Sequence, residues 1–178
     1  MITDDHPALQ ILRDAPWAFR LIGSRAYGTR RPSSSTDYDY LADGSGEADM
    51  VLWEKHYATW LEGYDQIPTR DRNYLASPTA GPYSRKQQHL IGAYLHHHGF
   101  KSVITGGYAD DYRIDHWRYP SRGGHPHVDV LVTEYSGELE RRLDFFDRCK
   151  REGLTLRLTS KDWGRLWSIL AALERGRA

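Results

Sequence analysis

Two neighbouring stretches decide the fold of this chain: GSRAYGT at residues 23–29 and TDYDY at residues 36–40. The apolar residues 19–22 lead into the first stretch and predict a strand. Residues 37–41 predict a second strand, which the turn sequence DGSG at 43–46 ends. Two short strands joined by a long polar connection predict a hairpin-like unit whose loop carries function.

The first stretch is a small-residue turn of a kind that can hold the phosphates of a triphosphate. Gly23 lets the backbone approach a ligand closely, and Ser24 offers a hydroxyl and an N–H to phosphate oxygens. A helix beginning at Arg25 would favour anions further. Arg25 and Arg30 are near enough in sequence to neutralise phosphate charge. The alternative for both arginines is a solvated loop.

The second stretch presents two carboxylates one residue apart. Residues i and i+2 of a strand point to the same face, so Asp37 and Asp39 would offer hard oxygen ligands side by side. The alternative is a strand end with solvated carboxylates. Two like charges on one face repel each other, and a divalent cation would remove that repulsion.

A third carboxylate interrupts the apolar run HVDVLVT at residues 127–133. Alternation places Asp129 on the same strand face as His127 and away from the three valines. An unpaired buried carboxylate is costly, and a metal shared with the first two aspartates would satisfy it. The alternatives are an aspartate at the solvent boundary of a sheet edge, or a zinc site built with His125 and His127.

The rest of the chain predicts alternating helices and strands. Helical periodicity covers 8–14, 50–64, 84–98, 137–151 and 161–174, and strand patterns cover 101–105, 111–119 and 125–133. The last two strands flank a Gly-Gly turn and predict a β-hairpin. We expect an α+β fold with a small mixed β-sheet backed by helices. One domain spans 1–178, with a catalytic core at about 15–135 and a helical C-terminal part at about 136–178.

Composition narrows the class of protein. The 24 basic residues balance the 24 acidic ones, so no global charge indicates nucleic acid or a membrane surface. The single cysteine, Cys149, excludes an internal disulfide and fits a reducing compartment. No apolar run reaches the ~20 residues that a membrane span needs, and the acidic N-terminus lacks a signal core. The expectation is a cytoplasmic protein with no membrane partner; the oligomeric state, including a homo-oligomer, stays open.

Taken together, the motifs resemble the polymerase-β-like nucleotidyltransferase superfamily. Its pattern is Gly-Ser, a gap, Asp-x-Asp and a distant aspartate on an apolar strand; here the gap between Ser24 and Asp37 is 12 residues. The chain looks most similar to bacterial and phage predicted nucleotidyltransferases, some of them associated with RNA repair. It departs from the pattern at Thr36, where serine is usual, and in a slightly longer gap.

The resemblance implies Mg²⁺-dependent transfer of NMP from an NTP to an acceptor hydroxyl, with release of pyrophosphate. Gly23 and Ser24 would grip the phosphates. Asp37 and Asp39 would bind two Mg²⁺ ions, for which Mn²⁺ is a substitute. Asp129 would complete the site and act as base. The acceptor is an RNA end, a protein or a small molecule. The alternatives are a non-catalytic nucleotide-binding or antitoxin-like interaction protein and a metal-dependent phosphohydrolase.

Overall fold

A five-stranded mixed sheet organises the part of the protein that the structure describes. The computed structural model describes residues 6–27, 36–60, 62, 86–103 and 113–153. The strands are β1 (Arg20–Ile22), β2 (Tyr38–Asp43), β3 (Lys101–Ser102), β4 (Ile114–Tyr119) and β5 (Val128–Thr133). Their order is β1-β2-β5-β4-β3. The pair β2–β5 is parallel, and the other three pairs are antiparallel.

Helices cover both faces of this sheet. They are α1 (Pro7–Asp14), α2 (Gly23–Tyr27), α3 (Met50–Trp60), α4 (Gln87–His97) and α5 (Glu138–Arg151). The larger core joins α1, α3 and α4 to one face. On the other face, Phe146 and Cys149 of α5 pack with Ile22, Leu41 and Leu131. The α+β class and the mixed sheet backed by helices are confirmed.

The valines of β5 fix its register against β2. Val128, Val130 and Val132 are fully buried in the larger core. Successive side chains of a strand alternate between faces, so Asp129 and Leu131 point to the opposite side. A shift of one residue would move all three valines out of the larger core. The apolar pattern therefore determines which face of the sheet Asp129 occupies.

The hairpin between β4 and β5 is confirmed, and its turn is centred on Gly123 and Gly124. Their φ angles are 59° and 82°. Positive φ at both central residues is the requirement of a type I′ turn, which suits the twist of a hairpin. Arg122 and His125 form the bridge next to the turn. The ladder that follows pairs residues 114–119 with residues 128–133.

Most predicted elements exist, with different bounds. The antiparallel pairing of β1 with β2 confirms the hairpin-like unit, but β2 begins at Tyr38 and Asp37 precedes it, contrary to expectation. The strand predicted at 101–105 is two residues long. The helix predicted at 161–174 lies outside the described residues. No helix in the described part of the chain has the length and apolar character to cross a bilayer.

A buried histidine ties the start of the described chain to the hairpin. The Nδ1 atom of His6 accepts a hydrogen bond of 3.1 Å from the Ala8 N–H and caps α1. The same ring therefore carries its proton on Nε2, which donates to the Pro126 carbonyl over 2.8 Å. The His6 ring also makes edge contacts with the rings of Tyr38 and Tyr119 and a tilted contact with the ring of His125.

These two bonds predict a graded response to substitution of His6. His6→Asn retains a good N-cap but loses the bond to Pro126, so we expect a loss of about 1 kcal/mol in the free energy of unfolding. His6→Ala loses both bonds and should lose about 2 kcal/mol. Chemical denaturation measures both values, with His97→Ala, an exposed histidine at the end of α4, as the control. Equal losses for the two His6 variants would contradict this assignment.

Candidate functional site

Two of the predicted site residues face each other across the parallel strand pair. The register sets Asp39 of β2 directly opposite Asp129 of β5. On the two outer sides of this pair, Ile22 of β1 lies opposite Asp39, and Arg118 of β4 lies opposite Asp129. Paired residues of neighbouring strands present their side chains on the same face. The sheet therefore holds two carboxylates next to each other.

Asp129 is already paired with basic groups of β4. Arg118 donates two hydrogen bonds to its carboxylate, from Nε over 2.7 Å and from Nη2 over 2.9 Å. His116 Nε2 lies 3.2 Å from Oδ1 of the same group. Burial by itself would raise the pKa of Asp129, but the neighbouring His116 and Arg118 side chains outweigh it and lower the pKa to about 2. The bond to Asp129 in turn raises the pKa of Arg118.

His127 connects Asp37 to this cluster. Its Nε2 atom lies 3.0 Å from Oδ2 of Asp37 and 3.4 Å from Oδ2 of Asp129. The predicted sharing of a face by His127 and Asp129 is thus confirmed. Although Asp37 precedes β2, the N–H of Tyr38 bonds to the His127 carbonyl over 3.2 Å and keeps the two chains together. All three predicted carboxylates belong to one cluster.

Asp39 lacks the compensation that Asp129 receives. Burial raises its pKa most, and the negative charges of Asp129 and Asp37 add to the effect. Arg142 of α5 and His127 oppose it, and the resulting pKa is about 6. A carboxylate held at such a pKa carries its charge at neutral pH at a cost in free energy. Asp39 is therefore the point of the cluster where additional positive charge would stabilise most.

Gly23 borders Asp39 directly. It has a φ of 73°, which side-chain-bearing residues rarely adopt. A Cβ atom at this position would lie 3.1 Å from the Asp39 Cγ and closer still to Oδ2. Glycine is thus required both by the backbone conformation and by the space. The close neighbour of this turn is the Asp39 carboxylate, and the approach of Gly23 to a phosphate ligand stays a prediction.

The other predicted phosphate ligands have different positions. Arg25 donates to the backbone carbonyls of Thr36 and Asp37, and its guanidinium lies 3.8 Å from the ring centre of Tyr38. In this arrangement Arg25 secures the start of β2, and its role toward phosphate stays a prediction. Ser24 is the second residue of α2, but its side chain lies outside the described part of the structure. Arg30 lies there entirely.

A cleft opens beside Asp37. Its volume is about 330 Å³, at the lower end of the range for small-molecule sites. Asp37 forms one wall, and the turn of the β4–β5 hairpin, residues 121–126, forms the other. A molecule in this cleft would lie within reach of the carboxylate cluster. Neither the cleft nor its lining by the turn was predicted from the sequence.

The donor set suits a hard cation, although the present side-chain arrangement does not hold one. Among residues 6–27, 36–60, 62, 86–103 and 113–153, no group of three His, Cys, Asp or Glu side chains is arranged around a metal position. Carboxylate oxygens are nevertheless the preferred ligands of Mg²⁺, and Asp39 needs positive charge. Arg118 and His127 would have to turn away from Asp129 and Asp37 to free their oxygens.

Sequence reasoning missed three basic residues of this site. Arg118 binds Asp129, His116 lies beside the same carboxylate, and Arg142, which is buried, acts on the charge of Asp39. Arg118 could have been found, because it lies five residues before Gly123 and Asp129 lies five residues after Gly124. A symmetrical hairpin around Gly-Gly therefore pairs them. Arg142 offered no such signal, since its placement depends on how α5 docks.

Comparison with known proteins identified no relative: no protein-family model, curated protein or solved structure matches the chain. What the molecule does therefore has to be inferred from its motifs and from the geometry of the carboxylates.

The two facing aspartates predict opposite effects of the same substitution. The folded pKa of Asp39 is raised, so its charge destabilises the fold increasingly as the pH rises from about 4 to about 6. Asp39→Asn should therefore stabilise the protein by roughly 2–3 kcal/mol at pH 8, and the gain should be nearly lost at pH 4.

Asp129 behaves in the opposite way. Its folded pKa is depressed, so its stabilisation is complete above its unfolded pKa and is lost only as the pH falls toward about 2. Asp129→Asn should cost roughly 2–3 kcal/mol at pH 8. Urea denaturation at both pH values, in buffer with a chelator, measures the effects. A destabilised Asp39→Asn protein at pH 8 would contradict the electrostatic account of the site.

Proposed function

We propose that this protein is a Mg²⁺-dependent nucleotidyltransferase with a polymerase-β-like nucleotidyltransferase fold. The single observation that carries the proposal is the arrangement around Asp39. A facing carboxylate, Asp129, lies on the neighbouring parallel strand, Asp37 joins through His127, and the glycine turn lies against the same side chain. The Gly-Ser turn and the Asp-x-Asp motif are thus adjacent in space as well as in sequence.

The candidate site residues form two groups, one that would bind the NTP donor and one that would bind the metal. Gly23, Ser24, Arg25 and Arg30 are the candidates for holding the phosphates of an NTP, and Asp37, Asp39 and Asp129 are the candidates for holding Mg²⁺. Magnesium, when bound there, would neutralise the carboxylates and stabilise the attacking and leaving oxygens of an in-line displacement. The buried cation Arg142 would add to the positive field around Asp39.

The reaction proposed is a displacement at the α-phosphorus. The oxygen of the acceptor hydroxyl forms a new P–O bond, the bond to the bridging oxygen of the β-phosphate breaks, and pyrophosphate leaves with the bonding electron pair. The hydroxyl proton passes to a base, for which Asp129 is the candidate. While Arg118 is bound to it, Asp129 is too weak a base near neutral pH. Release of Arg118 therefore has to come first.

Substitution of the carboxylates tests this function. Asp37→Asn and Asp39→Asn should each lower transfer by at least about a hundredfold, because each removes a metal ligand worth several kcal/mol in the transition state. The measurement uses α-labelled NTPs with Mg²⁺ or Mn²⁺ and pools of RNA, protein and small-molecule acceptors. Far-UV circular dichroism should show an unchanged fold, since both substitutions remove like-charge repulsion.

Asp144→Asn provides the matched control, because Asp144 is an exposed aspartate of α5. It should leave transfer unchanged. Mg²⁺ should raise the melting temperature of the wild type and of Asp144→Asn, but not that of Asp39→Asn. Label transfer that survives substitution of both Asp37 and Asp39 would count against the proposal.

A non-catalytic nucleotide-binding protein is the second candidate. The observation in its favour is the bidentate pair between Arg118 and Asp129, which already neutralises the third carboxylate without a metal. Titration calorimetry with NTP and Mg²⁺ separates the two functions. Nucleotide binding without label transfer to any acceptor would favour the non-catalytic candidate, and absence of binding would contradict both.

A further inference from the structure

We infer that the cleft beside Asp37 is the acceptor site and that it takes an acceptor bearing a phosphate ester, bound by Arg122 in its lining and by Arg118 and Lys101 on the strands beyond it. This inference rests on the proposed function, because it identifies the class of the second substrate. Nothing in the Gly-Ser and Asp-x-Asp motifs indicates the acceptor. The indication comes from the distribution of charge across the sheet.

The charge changes sign along one row of the sheet. From β1 to β3 the paired residues are Ile22, Asp39, Asp129, Arg118 and Lys101. Because residues in register share a face, the row has an acidic half on β2 and β5 and a basic half on β4 and β3. The acidic half suits a cation, and the basic half, beside it, suits an anion.

Arg122 extends the basic half to the cleft. It lies in the exposed turn that forms the wall opposite Asp37. Among the residues that the structure describes, neither Arg122 nor Lys101 has an acidic partner within ion-pair distance. Arg118 is committed to Asp129, but its side chain is still 42% exposed. A guanidinium has five N–H donors, so Arg118 can contact a second anion.

The chemistry of these groups selects among acceptor classes. A guanidinium fork matches two oxygens of a phosphate, and an exposed lysine adds a point charge. An acceptor rich in amino groups would be repelled by the three cations. A neutral hydroxyl acceptor would give Lys101 and Arg122 no anion to bind. A nucleotide or an RNA end satisfies them, because its phosphate lies a few bonds from the hydroxyl that would attack.

The position of the cleft fits an acceptor whose hydroxyl lies near the carboxylates and whose phosphate lies near the basic residues. Asp37 is both a wall of the cleft and a member of the carboxylate cluster. A hydroxyl bound beside Asp37 therefore lies next to the metal candidates, while its phosphate lies toward Arg122. Gly123 and Gly124 also line the cleft, and both are exposed.

Anisotropy with a 5′-fluorescein oligoribonucleotide that has a free 3′-hydroxyl tests the inference on the full chain. The double variant Lys101→Gln/Arg122→Gln should bind this probe at least about tenfold more weakly than the wild type. The slope of log affinity against log salt should become shallower by about one per removed cation. Lys55→Gln, an exposed lysine of α3 on the opposite face of the sheet, is the matched control and should change neither quantity.

Two further measurements complete the test. One identifies which molecule supplies the phosphate, and the other distinguishes failure of this inference from failure of the proposed function. Competition by a nucleoside monophosphate as strong as that by the oligoribonucleotide would support a mononucleotide acceptor; weaker competition would support an RNA end. Calorimetry with NTP and Mg²⁺ should give the same affinity for the wild type and the double variant.

NTP binding with no dependence of probe binding on Lys101 and Arg122 would overturn the acceptor assignment and leave the proposed function standing. Label transfer to protein or to a phosphate-free small molecule would overturn it as well. Probe binding that depends on both residues, combined with no NTP binding, would overturn the proposed function instead.

Discussion

The parallel register of β2 against β5 is the constraint on which the site depends. It brings Asp39 and Asp129 together, although their charges oppose this arrangement. Burial, which is the larger cause, and the neighbouring negative charges together raise the pKa of Asp39 to about 6, which corresponds to a cost of roughly 2–3 kcal/mol for keeping Asp39 charged. Burial of Val128, Val130 and Val132 on the other face contributes about 1.5–3 kcal/mol for each side chain. The core therefore outweighs the repulsion and fixes the two carboxylates in place.

The pKa values of the two facing carboxyl groups are shifted in opposite directions. Asp129 receives Arg118 and His116 from β4, and its pKa falls to about 2. Asp39 lies between Asp129 and the backbone of Gly23 and keeps a pKa of about 6. This asymmetry follows from position in the sheet, because the basic strand borders β5 and not β2. A cation binding at the cluster would gain most from Asp39.

The local parts of this arrangement could be predicted from the sequence, and the parts that depend on distant packing could not. The Gly23 turn, the side chains sharing a face on β5 and the Gly-Gly hairpin follow from short patterns. Counting outward from Gly123 and Gly124 would also have paired Arg118 with Asp129. The parallel contact of β2 with β5 joins segments far apart in sequence, and no local pattern specifies it. The depth at which Arg142 is buried depends likewise on the docking of α5.

Arg118 places the stability of the fold in opposition to the proposed function. Its two bonds to Asp129 stabilise the fold, because they compensate a largely buried carboxylate. The same bonds occupy both oxygens that a metal or a proton would need. Because Arg118 is exposed, its own charge can be solvated or can contact another anion after release, so the cost of release falls on Asp129, which is largely buried. A phosphate bound beside Arg118 would compete with Asp129 for the guanidinium, and would thereby help to free the carboxylate that the proposed reaction requires.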